Sequence, residues 1–188
     1  MSHNDTNNQE LMQPQTQSAI PVLSIAGSDC SGGAGIQADL KTFAAHKCFG
    51  MSVILSVVAE NTARVISSYD VPPQCVSEQI QAVFEDIPPQ ATKIGMLGSN
   101  AIIECVAENL RFYKPQNVVI DPVMFAKNGF PLMPKDCRVA FKEQILQYSN
   151  VLTPNIPEAQ ELCGFEIAHI NDMKRAAQRL YDMGAKAV

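Results

Sequence analysis

No C-x-x-C pair occurs among the six cysteines, which lie almost evenly spaced at positions 30, 48, 75, 105, 137 and 163. With only three histidines beside them, zinc-ligand spacing is missing. The even spread reads as six reduced thiols in a cytoplasmic protein and not as a disulfide framework. Basic residues are the scarcer charge: 14 Lys and Arg stand against 19 Asp and Glu, for a net charge of −5 and a pI near 5.1. That balance disfavours nucleic acid and anionic membrane as partners. No apolar run approaches the roughly 20 residues a membrane span needs. Residues 1–19 lack an apolar core of signal-peptide type and are rich in Asn, Gln, Ser and Thr, so they read as a disordered tail ahead of a single domain over 20–188. Beyond that tail there is no low-complexity tract and no internal repeat. G-x-x-x-x-G-K-[ST] is absent, which excludes a Walker A loop. What is present is 46% apolar content over 188 residues, enough for one domain with a real core.

The chain is organised around VLSIAGSDCSGGAGIQADLK, residues 22–41. Val22, Leu23 and Ile25 form a β-branched, apolar run of strand character. A turn with four glycines follows, and a helix opens at Ile36 with Leu40 and Phe43 at i+4 and i+7. Strand, glycine turn and helix form a unit that brings backbone close to a ligand and presents unpaired helix N–H groups to it.

The pattern then repeats. Gly50 reads as the cap of the first helix, and residues 51–60 as a second strand, apolar throughout and so buried on both faces. Residues 65–71 are an edge strand or a loop. Pro72-Pro73 starts a helix to Asp86, residues 92–97 form a third strand, and Ser99 reads as the N-cap of the next helix. Residues 117–120 and 151–153 are further strands, with a loop over 125–133 and a helix over 135–148 between them. Helices start at Asn155 and at Asn171; the latter is capped by Gly184, and residues 185–188 read as the opening of another strand. Regular β-α alternation with short loops predicts an α/β fold, a doubly wound and mostly parallel sheet with helices on both faces. Its ligand crevice lies outside the carboxyl ends of the strands, where Ser28, Asp29, Glu60, Asn61, Met96, Asp121 and Asn155 fall.

Each polar landmark has two readings on spacing alone. Gly33-Ala34-Gly35-Ile36-Gln37-Ala38 fits the loose dinucleotide fingerprint G-x-G-x-x-A, or is a connecting turn. Asp39, in the first turn of its helix, complements the helix dipole or faces the site. Asn155 and Glu158 form a capping box, or hold water-bound Mg²⁺ beside phosphates. Asp121 assists a cation or satisfies loop N–H groups, and Lys127 meets a phosphate or is solvated. Glu60-Asn61 is a turn or a hydrogen-bonding handle for a heterocycle. Met96 belongs to the core or covers a ligand.

Together, AGSDCSGGAGIQADLKTF, VVAENT, TKIGMLGS, VVIDPVM and LTPNIPEA closely resemble hydroxymethylpyrimidine/phosphomethylpyrimidine kinase, a thiamine-biosynthesis family of the ribokinase-like superfamily. The resemblance runs unbroken through 21–188. It implies a ribokinase-like fold and Mg²⁺-ATP-dependent phosphorylation of 4-amino-5-hydroxymethyl-2-methylpyrimidine, then of its monophosphate, by a homodimeric enzyme. On that resemblance Gly27 and Asp39 frame the pyrimidine, Glu60 bonds its amino group, Met96 covers the ring and Val123 lines the pocket. Asp121, Lys127, Asn155 and Glu158 lie on the nucleotide side, with Asn155 and Glu158 meeting Mg²⁺ through water. The family often has Gln at the position of Glu60, Pro or Ser at that of Cys30, and Gly after the position of Ala63, where Arg64 stands. Its K-G-G-H stretch and G-T-G-C-T anion-hole turn, which carries the residue that activates the substrate hydroxyl, are not in this sequence. The resemblance therefore places the catalytic residue beyond Val188 and implies an N-terminal portion of the enzyme, C-terminally truncated and inactive by itself. The alternatives are a pyridoxal kinase-like activity and a non-catalytic pyrimidine-binding fragment.

Overall fold

Strands β1 (Pro21–Asp29), β2 (Phe49–Glu60), β3 (Val65–Asp70), β4 (Ala91–Ile94), β5 (Val118–Ile120) and β6 (Val151–Leu152) form one sheet in the computed structural model, which describes residues 19–126, 129 and 131–188. Their order is β3-β2-β1-β4-β5-β6, with every pair parallel except β2 with β3. Helices α1 (Gly35–Ala45), α2 (Pro73–Asp86), α3 (Asn100–Tyr113), α4 (Lys135–Ala140), α5 (Ile156–Cys163) and α6 (Ile170–Asp182) connect and flank them. This is the doubly wound α/β arrangement that the alternation predicts.

The two-residue period of a strand separates the faces. In β1, Ser24 points to α1, whose Asp39 it bonds, while Ile25 lies with Ile80 and Phe84 of α2 and Val106 and Leu110 of α3 around a small cleft. Helices therefore cover both faces. Leu23, Ile25, Val53, Leu55, Ile94, Ile120 and Leu152 are all at most 1% exposed, as expected where strands are sandwiched between helix layers.

Several local expectations change. Gly50 is not a helix cap but part of β2, where a Cβ would stand 3.0 Å from Leu40 and 3.2 Å from Phe43 of α1. Lys47 (φ 60°) makes the left-handed step instead. Residues 65–70 are an antiparallel edge strand, joined to β2 by a turn in which Asn61 Oδ1 accepts the Ala63 and Arg64 N–H groups. β4 ends at Ile94 and not at Leu97, because there the chain leaves the ladder at the strand ends. Ser99 stands at the N-cap position, yet its hydroxyl donates to Asp70 (2.6 Å) and not to its own helix. The helix over 135–148 is three pieces: α4, a π turn (Phe141–Ile145) and a 3-10 turn (Leu146–Tyr148), a change of winding that keeps Phe141, Ile145 and Leu146 all fully buried. His169, with Asp172, caps α6, and Asn171 lies inside that helix; Met183 is its C-cap, one residue before Gly184. Residues 185–188 form no strand, although Lys186 N–H donates to Ser149 O (3.1 Å) and Leu152 N–H to Ala187 O (2.9 Å) alongside β6. The expected tail falls almost wholly on residues outside those described.

Candidate functional site

Sheet order reverses beside β1: the connection from β1 runs outward to β2, whereas β4 sits on its other side. In such sheets the crevice opens above this switch point. Here the carboxyl ends of β1 and β4 meet through two glycines. A Cβ on buried Gly27 would stand 2.8 Å from Ser56 Oγ and 3.0 Å from Met96 Cε, and one on Gly95 would stand 3.0 Å from Ala26 Cβ. Only hydrogen at position 27 lets the half-buried Met96 fold over the end of β1.

Asp29 ends β1, and its side chain organises the turn. Oδ1 accepts from Ser31 N–H (2.7 Å), and Oδ2 from Gly33 (3.0 Å) and Ala34 (2.8 Å). The backbone of Asp29 is held in turn by Gln37 Oε1 (2.9 Å). The glycine turn thus wraps its amides around an internal carboxylate, where a dinucleotide fingerprint would turn them to a pyrophosphate. Burial pushes the Asp29 carboxyl up, but the bonds from Ser31, Ala34 and Gly33 outweigh it and hold it below its ordinary value.

Glu60 closes β2 beside this turn. Cys30 Sγ donates to its carbonyl (3.1 Å) and accepts from its N–H (3.5 Å), tying the turn to the strand end. Burial, then the negative charge of Asp29 and a hydrogen bond between the two side chains, raise the Glu60 carboxyl above its ordinary value.

A second polar group lies on the α1 face. Asp39 is in the second turn of α1, not the first, so the helix-dipole reading does not apply. Its Oδ2 accepts from Ser24 Oγ (2.6 Å) and from Lys93 Nζ (2.9 Å). Asp121 follows β5 at the same end, its N–H bonded to Ile94 O (2.9 Å). Burial raises its carboxyl, the Lys93 ammonium partly offsets this, and Asp39 adds to it. Because the ionised form is disfavoured in the fold, Asp121 contributes no penalty below its unfolded pKa and the full penalty above its folded one. Stability attributable to it is therefore lost as pH rises. Asp121→Asn should melt higher than the unaltered chain at pH 8, by roughly 2–4 °C for about 1 kcal/mol, with the gap closing towards pH 4. Calorimetric melts across that range test this, and a gap that widens on acidification would refute it.

Asn155 and Glu158 form the capping box of α5: Glu158 N–H donates to Asn155 Oδ1 (3.0 Å) and Asn155 N–H to Glu158 Oε2 (2.9 Å). Glu158 Oε1 also accepts from Met124 N–H (3.4 Å). Burial raises the Glu158 carboxyl against these bonds, and the charge of Asp121 adds to the rise. Val123 stands half-buried between Asp121 and Met124, its N–H on Asp121 O (2.8 Å). Lys127 lies outside the described residues. Among those described, no three His, Cys, Asp or Glu side chains are grouped to hold a metal ion. No described helix is long and apolar enough to cross a membrane, and all six cysteines are free thiols.

The structure thus joins Gly27 to Met96, Glu60 to Asp29, Asp39 to Lys93, and Glu158 to Asn155, with Asp121 between the last two groups. Lys93 is the residue that the sequence reading passed over as a site member, while Asp29 was placed at the crevice without a role. A lysine inside the apolar stretch 92–97 was the available signal for it.

A family model described as phosphomethylpyrimidine kinase matches residues 29–188. Hydroxymethylpyrimidine/phosphomethylpyrimidine kinase of Aquifex aeolicus is 42% identical over 166 residues, which is 88% of this chain and 65% of that relative. The crystal structure of phosphomethylpyrimidine kinase from Clostridium difficile is 47% identical with a TM-score of 0.85, covering 89% of this chain and 72% of that one. An ADP complex of Bacillus subtilis pyridoxal kinase is 36% identical with a TM-score of 0.82, covering 89% and 64%. The chain spans a little under two thirds of the length of the Aquifex aeolicus and Haemophilus influenzae kinases it matches.

Proposed function

Because the chain belongs to the phosphomethylpyrimidine kinase family, we propose that it serves the ATP-dependent phosphorylation of 4-amino-5-hydroxymethyl-2-methylpyrimidine and of its monophosphate. The observation that supports this reading is the packing of Met96 over Gly27 at the carboxyl end of β1, with Glu60 closing β2 beside the glycine turn and with Asp39, Lys93 and Asp121 grouped at the same end of the sheet. Met96, folded over Gly27, offers a polarisable cover for a flat heterocycle. The Glu60 carboxyl oxygen accepts from the amino group of an aminopyrimidine, as the oxygen of a glutamine amide would, and burial with the charge of Asp29 raises its carboxyl above its ordinary value. Gly27 and Asp39 frame the ring and Val123 lines the wall.

The nucleotide and Mg²⁺ belong on the side of Asp121, Asn155 and Glu158, and Lys127 belongs to the same group. Two carboxylates, Asp121 and Glu158, the second raised by burial and further by the charge of the first, fit a hard divalent cation that keeps most of its waters. Asn155 Oδ1 is already engaged by the capping bond, which supports contact through water over direct ligation. Phosphoryl transfer rests on positioning and on stabilising charge spread over the transferred group; Mg²⁺ supplies that neutralisation when bound.

Glu60→Ala is expected to weaken binding of the pyrimidine about tenfold or more, the loss of a hydrogen bond worth about 1–3 kcal/mol, while Glu60→Gln stays within about threefold. Calorimetric titration of the chain with the pyrimidine reads this directly. Equal affinities for the unaltered chain and the Ala variant would remove Glu60 from the site. The likeness to pyridoxal kinase favours one second reading, a pyridoxal kinase-like activity. Tighter binding of pyridoxal than of the pyrimidine in the same titration would replace the first reading with it.

A further inference from the structure

Lys93 is the one charged residue of β4, and it stands in register with Ser24 of β1 on one side and Val119 of β5 on the other. An ammonium on an interior strand is expensive unless it is paired and hydrogen-bonded. Its partner is Asp39 at 2.9 Å, and the two side chains are only 23% and 17% exposed. Two details make the pair more than a filled polar hole. Ser24 Oγ and Lys93 Nζ both donate to the same oxygen, Oδ2, while Oδ1 of Asp39 takes no hydrogen bond from the described residues. The lysine also runs past Gly95, where a Cβ would come within 3.0 Å of its Nζ. The missing side chain at position 95 leaves the ammonium its path at the crevice end of β4.

We propose that Lys93 is a positioning residue, assisted by Ser24: together they anchor Asp39 through Oδ2 so that Oδ1 is held as the acceptor offered to the substrate. This rests on the pyrimidine reading above, in which Asp39 frames the ring. Two donors on one oxygen fix the carboxylate plane, so the free oxygen is preorganised and no rotamer must be ordered when ligand arrives. A purely structural ion pair makes a different forecast, since replacing such a pair by apolar side chains is often neutral or favourable and leaves ligand affinity alone.

A double-mutant cycle separates the two. The pyrimidine is titrated calorimetrically into the unaltered chain, Lys93→Met, Asp39→Ala and the double variant. Lys93→Met is expected to weaken binding about tenfold when Asp39 is present and less than threefold in the Asp39→Ala background. Ser24→Ala, which removes one of the two donors, should weaken it about threefold, and Lys93→Arg should recover part of the loss. Equal weakening by Lys93→Met in both backgrounds would make Lys93 a direct ligand contact and overturn the proposal, as would no weakening in either. The anchoring itself is read without ligand by NMR: the Lys93 ammonium protons should exchange slowly in the unaltered chain and fast in Asp39→Ala. Fast exchange in both defeats the proposal even if the pyrimidine binds. Slow exchange with no pyrimidine binding defeats the functional reading and leaves the anchor standing.

Discussion

Gly35→Ala should destabilise the chain by about 2–5 kcal/mol and abolish pyrimidine binding. Gly35 opens α1 with φ 55°, a left-handed conformation that costs an L-residue roughly 1–2 kcal/mol. The larger cost is steric. A Cβ there would collide with the carbonyl oxygen of Gly27 and come within 3.2 Å of Asp29 N, so α1 would have to retreat from the end of β1. Forced overpacking of that kind costs about 1–3 kcal/mol. Retreat also moves Gln37, which holds the Asp29 backbone, and Asp39, which sits one turn further along α1. The melting temperature should fall by about 5–15 °C. Gly33→Ala is the control two residues away: its Cβ would meet nothing closer than Asp29 Oδ2 at 3.7 Å, so its melt should stay within a few degrees of the unaltered chain. Indistinguishable melts for the two variants would show that the approach of α1 to β1 is not what the glycine serves.

Fold class was legible because it depends on local signals that repeat. Apolar runs of strand length alternate with helical periods, and the capping box at Asn155 and Glu158 lies within four residues and forms as spaced. What the sequence concealed depends on partners far along the chain. Ser24 and Lys93 meet at one oxygen of Asp39 from 15 and 54 residues away, and no local window relates them. The same holds for the end of β4: whether 95–97 continue the strand depends on β1 and β5, whose pairing with β4 ends at Ile94, not on the apolar character of Met96 and Leu97. The change of winding over 135–148 follows from burying Phe141, Ile145 and Leu146 together, a requirement of the surrounding core. Asp29 was visible as a polar strand end, yet its partners are backbone N–H groups, which carry no residue-type signal.

Asp29→Ala should cost about 3–4 kcal/mol, well above an ordinary substitution, because it strips three backbone donors of their acceptor at once. Asp29 is 4% exposed, whereas Ser31, Gly33 and Ala34 are exposed and can turn partly to water, which keeps the loss below the sum of three bonds to a charged acceptor. Asp29→Asn retains one acceptor oxygen and turns an amide donor on the remaining N–H groups, so it should fall between the two. The pH dependence has a fixed sign. The folded pKa of Asp29 lies below its unfolded value, so its contribution is complete above the unfolded pKa and is lost as pH falls through the folded one. Melts of the unaltered chain and Asp29→Ala should therefore differ by about 6–15 °C at pH 7 and converge on acidification; the gap for Asp121→Asn closes over the same direction of pH but has the opposite sign, that variant melting above the unaltered chain and Asp29→Ala below it. Asp29 also repels the ionised form of Glu60 across the turn, so Asp29→Ala should bring the Glu60 carboxyl down towards its ordinary range, a change that carboxyl-carbon NMR titration resolves. A Glu60 titration unmoved by the substitution would mean that burial alone sets its protonation, and that the turn supports the crevice by shape and not by charge.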